Sequence, residues 1–140
     1  MKKILLGLMA IIMSTGNALA EEKSALAIHV SSSDTQSYNI SSLPVMKHVD
    51  GQLVMKANGG ELGKYEIYDG LKITFCKEAD LGDVNQDSET TMADANNIVN
   101  KFLLGYVTNI NVTAADYNKD GQITMADANS VANSYLVSGE

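Results

Sequence analysis

The sequence predicts an α+β chain in which a small antiparallel β unit is followed by an all-α segment of two loop–helix repeats. Three observations predict it. Between Ala25 and Lys77, short apolar-alternating runs are divided by turn residues. Beyond Asp80, a block of residues recurs at a period of 33. Ahead of both, Met1-Lys2-Lys3 leads into an apolar run from Ile4 to Met13.

That run is about ten residues long, too short to span a bilayer, which takes about 18 or more. Ser14, Thr15, Gly16 and Asn17 interrupt it, and Ala18-Leu19-Ala20 supplies the small-x-small pattern that a signal peptidase reads. Residues 1–20 are therefore expected to be a signal peptide cleaved after Ala20. The mature chain is expected to be secreted, extracellular or at the cell surface, with no membrane insertion after cleavage. No cysteine stands at the processing site, which argues against a lipoprotein.

Residues 21–78 form the expected β-rich segment and 79–140 the repeat. The chain has ten lysines, no arginine and 17 acidic residues, a formal net charge of −7. Losing Lys2 and Lys3 takes the charge to about −9. That balance excludes nucleic acid, whose binding rests on clustered Lys and Arg, and disfavours an anionic membrane surface. The single cysteine, Cys76, cannot close an internal disulfide and reads as a small buried hydrophobe.

The strands are expected at Ala25–Val30, Ser37–Ile40, Val45–Val49, Gln52–Ala57, Lys64–Ile67 and Leu71–Cys76. Asp50-Gly51 is a two-residue hairpin signal, and Asn58-Gly59-Gly60 and Asp69-Gly70 mark further turns.

In the repeat, Asp83-Val84-Asn85-Gln86-Asp87 recurs as Asp116-Tyr117-Asn118-Lys119-Asp120. Thr91-Met92-Ala93-Asp94-Ala95-Asn96 recurs unchanged as Thr124-Met125-Ala126-Asp127-Ala128-Asn129. Each copy runs into a helical pattern, with Ala95, Ile98, Val99, Phe102 and Leu103 on one apolar face and Ala128, Val131, Ala132, Tyr135 and Leu136 on the other. Gly105 and Gly139 stand where the helices should stop.

Twelve-residue EF-hand loops place oxygen ligands at positions 1, 3, 5, 7, 9 and 12, with glycine at 6. The first loop offers Asp83, Asn85, Asp87, Glu89 by its carbonyl, Thr91 and Asp94. The second offers Asp116, Asn118, Asp120, Gln122 by its carbonyl, Thr124 and Asp127. Calcium is hard and takes six to eight oxygens, several of them charged, so two Ca²⁺ ions are expected. Read blandly, an Asp/Asn-rich run is a solvated loop or a cap, and Thr91-x-x-Asp94 and Thr124-x-x-Asp127 are indeed capping boxes. Two in-register copies, each feeding an amphipathic helix, outweigh that reading. Gly121 holds the turn position of the second loop and Ser88 that of the first, so Ser88 is expected at positive φ and the second loop is expected to bind more tightly.

This duplicated single-helix calcium loop, with Asp at position 12, resembles the dockerin type I domain. The resemblance rests on Gly82-Asp83-Val84-Asn85-Gln86-Asp87, Ala114-Ala115-Asp116-Tyr117-Asn118-Lys119-Asp120-Gly121 and Phe102-Leu103-Leu104-Gly105, and covers about residues 80–138. It implies a calcium-dependent protein-interaction module that docks onto a cohesin-like partner, often within extracellular polysaccharide-degrading assemblies. It also implies partner contacts at Met92, Ala93, Met125 and Ala126, with Asn100 and Asn133 further along. The commonest family pattern has hydroxyl and basic residues there, so this chain departs from it. Met92 and Met125 either form an apolar docking patch, which suits adaptable methionine, or cover the small core.

No enzyme constellation is present in the sequence: there is no Gly-x-Ser-x-Gly and no His-Glu-x-x-His. His29 and His48 lie in strand patterns and read as structural. A non-catalytic chain is expected. An alternative reading keeps the β unit as a glycan- or surface-binding module, with the calcium domain only stabilising the C-terminus. The chain lacks tryptophan, but Tyr38, Tyr65 and Tyr68 could stack on sugar.

Overall fold

The computed structural model describes residues 24–138; the signal peptide expected at 1–20 and the helix stop expected at Gly139 lie outside the described residues. The β part contains six strands: β1 (Ser24–Ser31), β2 (Asp34–Asn39), β3 (Val45–Val49), β4 (Gln52–Ala57), β5 (Gly60–Glu66) and β6 (Lys72–Lys77). A 3₁₀ turn at Ile40–Ser42 follows β2. Helix α1 (Met92–Leu104), strand β7 (Ile110–Asn111), the short helix α2 (Val112–Ala115) and helix α3 (Met125–Ser138) complete the chain.

Turn chemistry sets the second sheet. Asp50 and Gly51 have φ of 48° and 82°, and Asn58 and Gly59 have φ of 53° and 83°. Two consecutive left-handed residues match the twist of the flanking strands, so β3, β4 and β5 form an antiparallel meander registered Val49 to Gln52 and Ala57 to Gly60.

The first sheet has the order β6-β1-β2-β7. Its last member corrects the expected all-α C-terminal segment, because Ile110 and Asn111 pair in parallel with Gln36 and Ser37 of β2. Two residues carry no periodicity, so only the docked neighbour reveals them as a strand. The β part is also more than a small unit: it runs over residues 24–77 in two sheets.

A single core joins both halves. Ile28, Tyr38, Leu53 and Met55 from the strands cluster with Val84, Ile98, Ile110, Val112 and Val131 from the repeat. Beside it runs a buried polar network. The Asn39 amide donates to Thr113 Oγ1 (2.7 Å), Asn39 Nδ2 to the Ala79 carbonyl (2.8 Å), and Asn111 Nδ2 to Asn39 Oδ1 (2.6 Å). Buried polar groups are tolerable only when partnered like this, so the network fixes the placement of the repeat on β2.

The expected helix faces need correction. Ala95, Ile98, Ala128 and Val131 are buried, but Phe102 and Tyr135 are exposed, as are Leu103 at 67 % and Leu136 at 63 %. The helices pack on each other, and only their N-terminal halves reach the shared core.

Candidate metal centre

Each of the two Asp/Asn-rich loops folds back on its own carboxylates. In the first loop, Asp83 Oδ1 accepts the amide of Asp87 (3.1 Å) and Oδ2 that of Ser88 (3.0 Å). Asn85 Oδ1 also accepts the Asp87 amide (3.0 Å), while Asn85 Nδ2 donates to Asp87 Oδ2 (2.7 Å). Asp87 Oδ1 accepts the Glu89 amide (2.9 Å). The closing Asp94 accepts four hydrogen bonds: the amides of Val84 (2.8 Å) and Asn85 (3.0 Å) on Oδ1, and the Thr91 amide (2.8 Å) and hydroxyl (3.3 Å) on Oδ2.

The second loop repeats this geometry. Asp116 Oδ1 accepts the Asp120 amide (3.1 Å) and Oδ2 the Gly121 amide (3.0 Å). Asn118 Oδ1 accepts the Asp120 amide (2.9 Å), and Asn118 Nδ2 donates to Asp120 Oδ2 (2.9 Å). Asp120 Oδ1 accepts the Gln122 amide (2.9 Å). Asp127 accepts the Asn118 amide (3.1 Å) and the amide (2.9 Å) and hydroxyl (3.2 Å) of Thr124.

Asp83, Asp94, Asp116 and Asp127 are all buried. Burial pushes the Asp83 carboxyl above the ordinary carboxylate value. The Ser88 amide pulls it down, and the charges of Asp94 and Asp87 add to the rise. Burial likewise raises Asp116. Hydrogen bonds from Asn58 and Gly121 oppose that rise, and the charge of Asp127 adds to it. Buried like charges are costly unless a cation offsets them.

Among the described residues, no three His, Cys, Asp or Glu side chains stand close enough to hold a metal by themselves. The donor set therefore has to include the asparagine and carbonyl oxygens, and that all-oxygen mixture suits a hard cation such as calcium. Glu89 and Gln122, expected to contribute only their carbonyls, have exposed side chains. Thr91 and Thr124 sit at the helix starts, their hydroxyls accepting the amides of Ala93 (3.1 Å) and Ala126 (3.2 Å), so each is engaged in capping.

Ser88 adopts φ of 74° and Gly121 φ of 81°, so both loops make the same left-handed turn at position 6. One neighbour of the second loop is invisible to motif reasoning: Asn58, in the β4–β5 turn, donates from Nδ2 to Asp116 Oδ2 at 2.8 Å. Its Asn-Gly-Gly sequence reads only as hairpin chemistry.

The candidate partner residues sit on the helix surfaces. Met92 and Met125 are 42 % and 39 % exposed, and Ala93, Ala126, Asn100 and Asn133 are exposed as well. His29 bridges strands, with Nε2 and Thr74 Oγ1 2.7 Å apart and Nδ1 and Thr35 Oγ1 3.2 Å apart. Cys76 is half-buried rather than a core residue.

Residues 81–136 match the family model of the dockerin type I domain, a stretch of less than half the chain. Dockerin domains are non-catalytic modules that bind calcium and dock onto cohesin domains. No curated protein and no solved structure matches the chain.

Proposed function

We propose, with residues 81–136 as a dockerin type I segment for premise, that the chain is a secreted, non-catalytic protein. Its C-terminal segment (79–140) holds two Ca²⁺ ions and docks onto a cohesin-like domain of another extracellular protein, a role suited to polysaccharide-degrading assemblies. The ions are assigned to Asp83, Asn85, Asp87, Glu89, Thr91 and Asp94, and to Asp116, Asn118, Asp120, Gln122, Thr124 and Asp127. Residues 1–20 serve export.

The observation that carries the docking reading is the exposure of both Met-Ala pairs. Met92 and Met125 stand outside the hydrophobic core in the first turn of α1 and α3, beside small Ala93 and Ala126. Buried cores do not claim them, so their apolar surface is available to a partner, with Asn100 and Asn133 along the same helices. The test is capture by a panel of purified cohesin domains with and without EDTA. Calcium-dependent capture is expected. The double substitution Met92→Asp plus Met125→Asp is expected to abolish it, because the two copies allow either one to serve, while leaving calcium-induced helicity intact. Capture that survives the double substitution refutes this interface.

A second reading, a glycan held by the β part, draws on one feature. A cleft of about 750 Å³ lies where β5 faces the end of α1, with Tyr65, Tyr68, Phe102 and Tyr106 among its lining residues. Gln36 also lines it, and its Oε1 is buried without a hydrogen-bond partner among the described residues, while Nε2 donates to Asp34 Oδ1 (2.9 Å) and the Val107 carbonyl (2.7 Å). Tyr38 is fully buried and offers no ring to a sugar. Tyrosine fluorescence unchanged by neutral oligosaccharides at millimolar concentration refutes this reading.

A further inference from the structure

The two loops share their internal bonds, but they do not share their neighbours. At the first loop, among the described residues, Asp83 receives hydrogen bonds only from the amides of its own loop, and the side-chain hydrogen bond from the β part is Ser37 Oγ to Gln86 Oε1 (3.0 Å), on no carboxylate. At the second, the β4–β5 turn reaches the metal-binding carboxylate itself. Asn58 Nδ2 stands 2.8 Å from Asp116 Oδ2, the oxygen that also takes the Gly121 amide.

The two backbones also lie against each other, leaving no room for a side chain. A Cβ on Gly60 would fall 1.7 Å from the Gly121 carbonyl oxygen. A Cβ on Gly121 would fall 2.3 Å from the Gly60 nitrogen and 2.7 Å from the Asn58 carbonyl oxygen. Gly121 therefore meets two demands, positive φ and the absence of a side chain where the hairpin lies. Gly60 has no positive φ, so its need for glycine is the contact alone.

We propose that the Asn58-Gly59-Gly60 turn is an outer shell of the second calcium site, with Asn58 as a positioning residue for Asp116. The inference rests on the calcium reading above. A second donor on Oδ2 holds the carboxylate in one rotamer before the ion arrives, which spares the ordering that binding would otherwise demand. The linkage is reciprocal: whatever factor the hairpin adds to calcium affinity, calcium returns to the stability of the hairpin. The β part is thereby a calcium-responsive body, although none of its residues is assigned as a ligand.

The test is calcium titration of the full chain by calorimetry, paired with amide hydrogen exchange over residues 52–66. Asn58→Gly removes the donor and keeps the freedom for φ of 53°. It is expected to weaken one of the two sites about tenfold, the loss typical of an outer-shell partner, and to leave the other within about twofold. Calcium is expected to slow exchange in the hairpin of the parent chain, and to slow it less in Asn58→Gly. Gly60→Ala is expected to weaken the same site further, and if it fails to fold, Asn58→Gly still decides. Two calcium ions bound by Asn58→Gly with parental affinities, and hairpin exchange that ignores calcium, overturn this proposal alone. A parent chain that binds no calcium at the second loop overturns it together with the reading beneath it.

Discussion

Replacing Ser88 by glycine isolates a single backbone term. Ser88 holds φ of 74° at the position where the second loop has Gly121 at 81°. A left-handed conformation costs an ordinary residue about 1–2 kcal/mol. The substitution also frees the unfolded chain, which takes back about 0.4–1 kcal/mol. Ser88 is exposed, and its backbone amide donates to Asp83 Oδ2, a bond that glycine retains. The ordered first loop is therefore expected to gain about 1 kcal/mol over its disordered state, and because calcium binds the ordered loop, its apparent affinity should rise by up to roughly fivefold. Two-site calorimetry of Ser88→Gly against the parent measures it. The weaker site should tighten while the tighter one stays put. The mirror change, Gly121→Ser, should be far worse than the loss of one glycine, because its side chain meets the Asn58–Gly60 backbone. An unchanged weaker site in Ser88→Gly, or a parent chain whose first loop binds more tightly, would refute the reasoning from backbone strain.

Two further outcomes are expected. The Tyr38 and Tyr65 hydroxyls lie 2.5 Å apart with rings at 86°, and burial raises both groups above the ordinary tyrosine value near 10. Above about pH 10 the unfolded chain loses protons that the folded chain keeps, so stability falls as pH rises; denaturant midpoints from pH 8 to 11 should fall less steeply in Tyr38→Phe, and parallel profiles would contradict the assignment. Calcium at 100 times its Kd adds about 2.7 kcal/mol per ion, so chelation should lower the Tm of the full chain. Residues 79–140 in isolation should lose their helical circular dichroism in EDTA, because Val84, Ile110 and Val112 then lack the β core they are buried against; helicity indifferent to EDTA would count against it.

The Asp/Asn-rich loops, the caps and the hairpin turns were legible in the sequence because each is built by residues within about a dozen positions of one another. Thr91 and Asp94 close the capping box by themselves. Asp50-Gly51 makes its turn whatever lies around it, and position 6 of a loop demands positive φ whether serine or glycine occupies it. The period of 33 residues exposed the duplication, and with it the buried pairs Asp83 with Asp94 and Asp116 with Asp127. What the repeat rests on could not be read this way. Asn39 meets Thr113, Asn111 meets Asn39, and Asn58 meets Asp116 across separations of 74, 72 and 58 residues. None of these asparagines looks different from one in a solvated loop. The helix faces failed for the same reason: periodicity shows which side of a helix is apolar, but only the docked β sheets decide how far along its length that side is covered. Phe102 and Leu136 fit the apolar pattern as well as Ile98 and Val131 do, yet burial requires a neighbour, and only the folded chain provides one.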